Sequence, residues 1–222
     1  MLHYGLIILV IVLVLYHLYN KHKFVSISDG EMTWNILRKY NNQQNAANAI
    51  TIVNEKTMEF LRYLKTKYRI DETDDIIERE KNMHTMLVQH PGDIYNMIDN
   101  LLNNYNPEVI YENDPRGGGA TSYTIGKGNK LYLCVRDKED PNKIIDHNTL
   151  MFVMLHEISH MANYNGWGHG RDFWEVFCFI LHESILAGVY TPIDYNNYPV
   201  NYCGLRIDYQ PLYDTNLRHI WE

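Results

Sequence analysis

One apolar helix has to carry His156, Glu157 and His160, and that requirement constrains the chain more than any other feature. The stretch from Met151 to Met161 reads M-F-V-M-L-H-E-I-S-H-M, an H-E-x-x-H pattern in a setting too hydrophobic for a surface helix. Residues four apart share one face of a helix, so the two imidazoles can close on a single metal ion. Glu157 is turned about 100° from His156 and is left to hold a water activated by that metal. Burying two imidazoles and a carboxylate without a partner is costly. A third candidate follows in Gly168-His169-Gly170, nine residues after His160 (169 − 160). Its flanking glycines let backbone and ring approach a metal closely. His156, His160 and His169 are therefore the expected metal ligands, and Glu157 the expected catalytic residue.

The donor types choose the metal. All-nitrogen ligation disfavours magnesium and calcium, which prefer oxygen, and favours Zn2+. Three neutral imidazoles leave the ion's charge nearly intact, enough to pull the pKa of a water from about 15.7 toward 7. Glu157 as general base then completes the outline of a peptide-bond hydrolase acting on a protein or peptide substrate. Glu183 is the runner-up for the third ligand, and Glu175 on the same segment reads as structural. A residue that stabilises the transition state is expected nearby, but Tyr123, Tyr164, Arg171 and the carboxy-terminal tyrosines are not ranked by the sequence. A contrasting reading is a catalytically silent, zinc-stabilised membrane or virion structural protein, and the role of Glu157 separates the two.

The pattern His156-Glu-Ile-Ser-His160, then Gly168-His169-Gly170-Arg-Asp-Phe173, resembles the H-E-x-x-H…G-H-G-x-x-F pattern of the SprT-like and WLM zinc metalloproteases. The likeness covers roughly Leu131 to Ala187. It implies a zincin-like fold, zinc on His156, His160 and His169, and Glu157 as the base. The six-residue spacing and glycine of the metzincins are absent. Members that act on DNA–protein crosslinks carry nucleic-acid-binding appendages, whereas this chain begins with an apolar run.

That run, Leu6 to Leu15, contains no polar residue, and Leu2 to Tyr19 makes about 27 Å of helix. A hydrocarbon core is roughly 30 Å thick, so a transmembrane anchor is expected, with Lys21 and Lys23 as its stop-transfer flank. A cleaved signal peptide fits less well, because no Lys or Arg precedes the run and Ser26-Ile-Ser28 lies beyond the lysines. A buried core helix fits least. The expectation is a single-pass membrane protein, its domain on the cytoplasmic side and lipid among its partners; the sequence does not name the membrane, and a viral or organellar one is open to it. The formal charge of −7 argues against nucleic acid as a partner. Cys134, Cys178 and Cys203 contain no C-x-x-C and read as free thiols in a reducing compartment.

Elsewhere, helical periodicity marks Asn45–Arg69, Thr73–Gln89 and Asp93–Asn104. Ser122–Ile125 and Lys130–Arg136 alternate across Gly126-Lys127-Gly128, which predicts a β-hairpin. A phosphate loop is excluded there, since Thr121 and Gly128 occupy the positions of its glycine and its hydroxyl. Asp146 or Asn148 can cap the motif helix, and Asp172–Ala187 forms a second apolar helix. The expected fold is α+β: an anchor and basic flank over 1–23, a helical segment over 24–112, and a zincin-like metallopeptidase domain over 113–222.

Overall fold

The computed structural model describes residues 2–68, 91–163, 166 and 168–220. The expected helix Thr73–Gln89 and Tyr164 lie outside the described residues. In chain order the elements are α1 (Leu2–Lys23), β1 (Phe24–Asp29), β2 (Met32–Leu37), α2 (Gln43–Lys67) and α3 (Pro91–Asn104). These are followed by β3 (Ile110–Glu112), β4 (Tyr123–Ile125), β5 (Lys130–Leu133), α4 (His147–Ala162), α5 (Arg171–Leu186), β6 (Val200–Tyr202) and β7 (Leu205–Ile207).

Five strands form one sheet in the order β1-β2-β3-β5-β4. The outer pairs β1–β2 and β4–β5 are antiparallel, while β3 runs parallel to both β2 and β5. Side chains alternate across it. Trp34, Ile36, Ile110, Leu131 and Leu133 are buried, whereas Tyr111, Tyr132 and Tyr123 line the other face with rings 5.3 and 4.8 Å apart in succession. β6 and β7 make a separate two-stranded hairpin.

The fold therefore departs from the α+β expectation: it is mixed α/β, with five α-helices among the described residues and a mixed sheet. β1 and β2 lie where a helical pattern was expected. Their period-two signal, Val25 and Ile27 against Trp34 and Ile36, lasts only six residues per strand before the long helical pattern of α2 takes over.

The membrane anchor is also corrected. Among the described residues, no helix is long and apolar enough to cross a membrane. Toward its carboxy-terminal end the sequence of α1 turns polar at His17, Asn20, Lys21 and His22. The single-pass topology, the lipid-facing role and the cytoplasmic placement that followed from it are not supported.

The cysteine expectation fails as well: Cys134 and Cys203 form a disulfide, and Cys178 alone stays outside one, as a buried thiol. The two partners are 69 residues apart, and the fold-back of the β6–β7 hairpin brings their Cα atoms to 6.4 Å.

Two features fix the motif helix. Asp146 is the N-cap of α4, its carboxylate accepting from the backbone N–H groups of Asn148 and Thr149 at 3.0 Å each. Apolar side chains wrap the whole helix, so it packs at the centre against α2, α3, α5 and β4. Behind the sheet, Arg136 and Glu112 form a fully buried ion pair. Arg136 also donates to the carbonyls of Asn41 and Pro141, and Glu112 accepts from Leu37 N–H at 2.7 Å. That network ties β2 and β3 to the chain leaving β5.

Candidate metal centre and active site

His156 and His160 project from one face of α4, as their four-residue spacing requires. After the helix the chain turns back sharply, and the carboxylate of Asp172 organises the turn. It accepts from Asn163 Nδ2 at 3.0 Å and packs against two bare glycines. A Cβ at Gly166 or Gly170 would stand within 2.7 or 2.5 Å of its oxygens. Gly168 adopts φ +85°, a conformation side chains disfavour. The result delivers His169 to the two helix histidines.

The three rings sit at the corners of a nearly equilateral triangle, with centroids 5.0, 4.9 and 4.9 Å apart. The Nε2 atoms of His156 and His169 face each other at 2.9 Å. One ligand atom from each ring lies within 4.8 Å of the other two. Nitrogens bound to one tetrahedral zinc at about 2.1 Å stand roughly 3.4 Å apart, so small side-chain shifts suffice to meet one ion. The donor set is chemically consistent as well. Burial and the proximity of the other two rings push His156 down to about 3, and burial, His169 and Lys127 push His160 down to about 4. Burial lowers His169 too. All three imidazoles stay neutral at pH 7, which is the form that binds metal.

Phe173 backs the triangle. Fully buried on α5, it stacks on His160 at 4.3 Å and meets His156 and His169 edge-on at 4.9 and 4.8 Å. The histidines are thus held by packing as well as by the chain.

Glu157 is 3% exposed and lies beside the triangle rather than in it. Its Oε2 accepts from Thr124 Oγ1 at 3.1 Å, which links α4 to the edge strand β4. Burial pushes its carboxyl up to about 8, against the opposing pull of that hydrogen bond. Thr124 was not among the sequence candidates; the hairpin could be read, but not which of its residues meets the helix. Lys127, at the hairpin turn, donates to the carbonyl of Asn163 at 2.6 Å and so secures the end of α4.

The remaining candidates separate by position. Glu183 lies nearly unexposed, with Lys67 Nζ at 2.7 Å and His182 Nδ1 at 3.4 Å, and is not part of the histidine cluster. Glu175 is paired with Arg171 and Arg218. Arg171 is committed to Glu175 and to the carbonyl of Asn216. Tyr202 is held by Ser122 and the carbonyl of Cys134, whereas Tyr209 and Tyr123 each line a cavity at the site. Those cavities flank the triangle, one of about 540 Å3 and one of about 240 Å3.

No protein-family model matches the chain. It is similar to an uncharacterized protein of Acanthamoeba polyphaga mimivirus, 35% identical over 140 residues, covering 63% of this chain and 66% of the relative. Uncharacterized proteins of Invertebrate iridescent virus 6 and Invertebrate iridescent virus 3 are 32% and 35% identical, each over 48% of this chain. The chain spans 56 to 66% of the length of these relatives. Among solved structures it overlaps Wss1 from Saccharomyces cerevisiae at 20% identity and a TM-score of 0.32, over 36% of this chain and 59% of that one. A superposition that slight carries no weight for fold or activity.

Proposed function

We propose that this protein is a zinc-dependent metallopeptidase. The observation that carries the reading is the convergence of three neutral imidazoles beside a buried glutamate, at the junction of two cavities. His156, His160 and His169 would hold the ion. When bound there, zinc supplies Lewis acidity, acidifying a water and polarising a substrate carbonyl.

The chain's own residues do the rest. Thr124 occupies Oε2 of Glu157 and fixes the carboxylate plane, which leaves Oε1 to accept a proton from the attacking water. Burial alone holds this carboxyl at about 8, and the charge of a zinc ion on the neighbouring histidines would draw it down to the ionised form that a general base requires, after which it can pass the accepted proton to the leaving amine. Phe173 keeps the three rings from rotating away. The apolar surroundings of α4 exclude bulk water from the back of the site.

The test compares the zinc-loaded protein with Glu157→Gln on a broad peptide mixture. The substitution preserves size and leaves all three histidines in place but removes the proton acceptor. Hydrolysis should fall by at least about a hundredfold while zinc content and melting temperature stay the same. A parent that cleaves nothing, or a variant as fast as the parent, would reduce the site to a structural zinc centre.

A further inference from the structure

We propose that the larger cavity is a side-chain subsite that selects substrates with a large apolar residue, aromatic or long aliphatic, beside the scissile bond. The proposal rests on the metallopeptidase reading and names what that site prefers. At about 540 Å3 the cavity falls in the range of pockets that enclose ligands, roughly 300 to 1,000 Å3.

Its apolar walls come mainly from three elements, and the chain from Gly119 to Ser122 completes the lining. Phe152 and Val153 lie on α4 about one turn before the catalytic pair, Trp174 and Phe177 rise from α5, and Leu205 and Ile207 close the far side from β7. His156, Glu157 and His169 share the same cavity. A side chain seated here therefore belongs to a residue adjacent to the reacting carbonyl. The charged residues of this wall, Arg206 and Asp208, lie at the exposed rim with Nε and Oδ2 3.7 Å apart, and leave the interior apolar.

The other side of the triangle differs. The smaller cavity, about 240 Å3, is bounded by Tyr123, Thr124, Lys127, His160 and the glycines of the loop. One flank of the site is thus roomy and mostly apolar, the other tighter and more polar, so the stronger apolar preference should attach to one side of the cut bond. The far wall is also firmly placed. Tyr202 Oη donates to the carbonyl of Cys134 at 2.8 Å and lies 2.6 Å from Ser122 Oγ, and the Cys134–Cys203 disulfide pins the turn between β6 and β7. Leu205 stands at the mouth, 53% exposed, where an incoming apolar side chain would cover it.

The experiment incubates the zinc-loaded full chain with a randomised peptide mixture and maps cleavage sites by mass spectrometry. It then measures kcat/KM for a matched pair of peptides with Phe or Ala at the selected position. Cuts should cluster at Phe, Tyr, Trp, Leu or Met at one fixed position next to the bond, with Phe favoured over Ala at least about tenfold, the scale of discrimination in an apolar pocket. Leu205→Arg, a change at an exposed position, should erase most of that ratio while zinc content and melting temperature hold. Cleavage scattered without regard to side chain, or a ratio unmoved by Leu205→Arg, would overturn the subsite and leave the peptidase reading standing. No cleavage of any peptide would overturn both.

Discussion

His169 and Glu183 were the two candidates for the third place beside the helix histidines, and their surroundings differ sharply. His169 faces His156 at 2.9 Å from a loop bent by Gly168. Glu183 is buried against Lys67 on the opposite end of α5. His169→Ala should therefore strip the zinc, read as loss of stoichiometric metal after dialysis. Glu183→Gln should keep the metal and lower stability by about 1–3 kcal/mol, through the half-buried Lys67 ammonium left without its carboxylate. The reverse pattern would shift the third ligand to the glutamate. The histidines could be read from sequence because covalent spacing on one helix dictates their common face. Thr124 could not, since its contact with Glu157 joins residues 33 apart through the docking of a hairpin on a helix. Nor could the role of Asp172, which depends on two glycines folding over its carboxylate.

Elements whose signal is local and long were legible. Asn45–Arg69 and Asp93–Asn104 match α2 and α3 within two residues at each end, and the hairpin around Gly126-Lys127-Gly128 formed as β4 and β5. The six-residue strands β1 and β2 were lost beneath a stronger helical pattern. The cysteine pair was lost because nothing in the spacing of Cys134 and Cys203 anticipates that the β6–β7 hairpin folds back onto the end of β5. That hairpin forms one wall of the larger cavity, so its anchoring has a measurable consequence. Cys203→Ser should destabilise the protein by about 2–4 kcal/mol, a drop of roughly 4–16 °C in melting temperature. Zinc should be retained, because no ligand lies on the hairpin. An unchanged melting temperature under non-reducing conditions would show that the bond contributes nothing to the fold.

At the scale of the whole molecule, the site leaves a signature in the stability of the metal-free chain. His156 and His160 have folded pKa values of about 3 and about 4, below the unfolded 6.5. Their contribution is complete above pH 6.5 and is lost as pH falls, since the unfolded chain then binds protons the native one refuses. Glu157 acts oppositely, with a folded value of about 8 against 4.5 unfolded. Between those values the native state holds a proton the unfolded state has released, so stability falls as pH rises. Burial raises Glu112 in the same sense. The metal-free protein should be most stable near pH 6.5, declining on either side by on the order of 1.4 kcal/mol per pH unit. Denaturant titrations across pH 4.5–8 check this, and a monotonic profile would contradict it. The amino-terminal run shows the limit of composition as a guide: its apolarity predicts a membrane span, yet among the described residues no helix is long and apolar enough to cross a membrane. The central claim is that three imidazoles form one zinc site, and zinc K-edge X-ray absorption on protein loaded with one equivalent tests it most directly. The account predicts stoichiometric binding with three imidazole nitrogens at about 2.0–2.1 Å and no sulfur. A sulfur shell near 2.3 Å, fewer imidazoles, or no tightly bound zinc would contradict it.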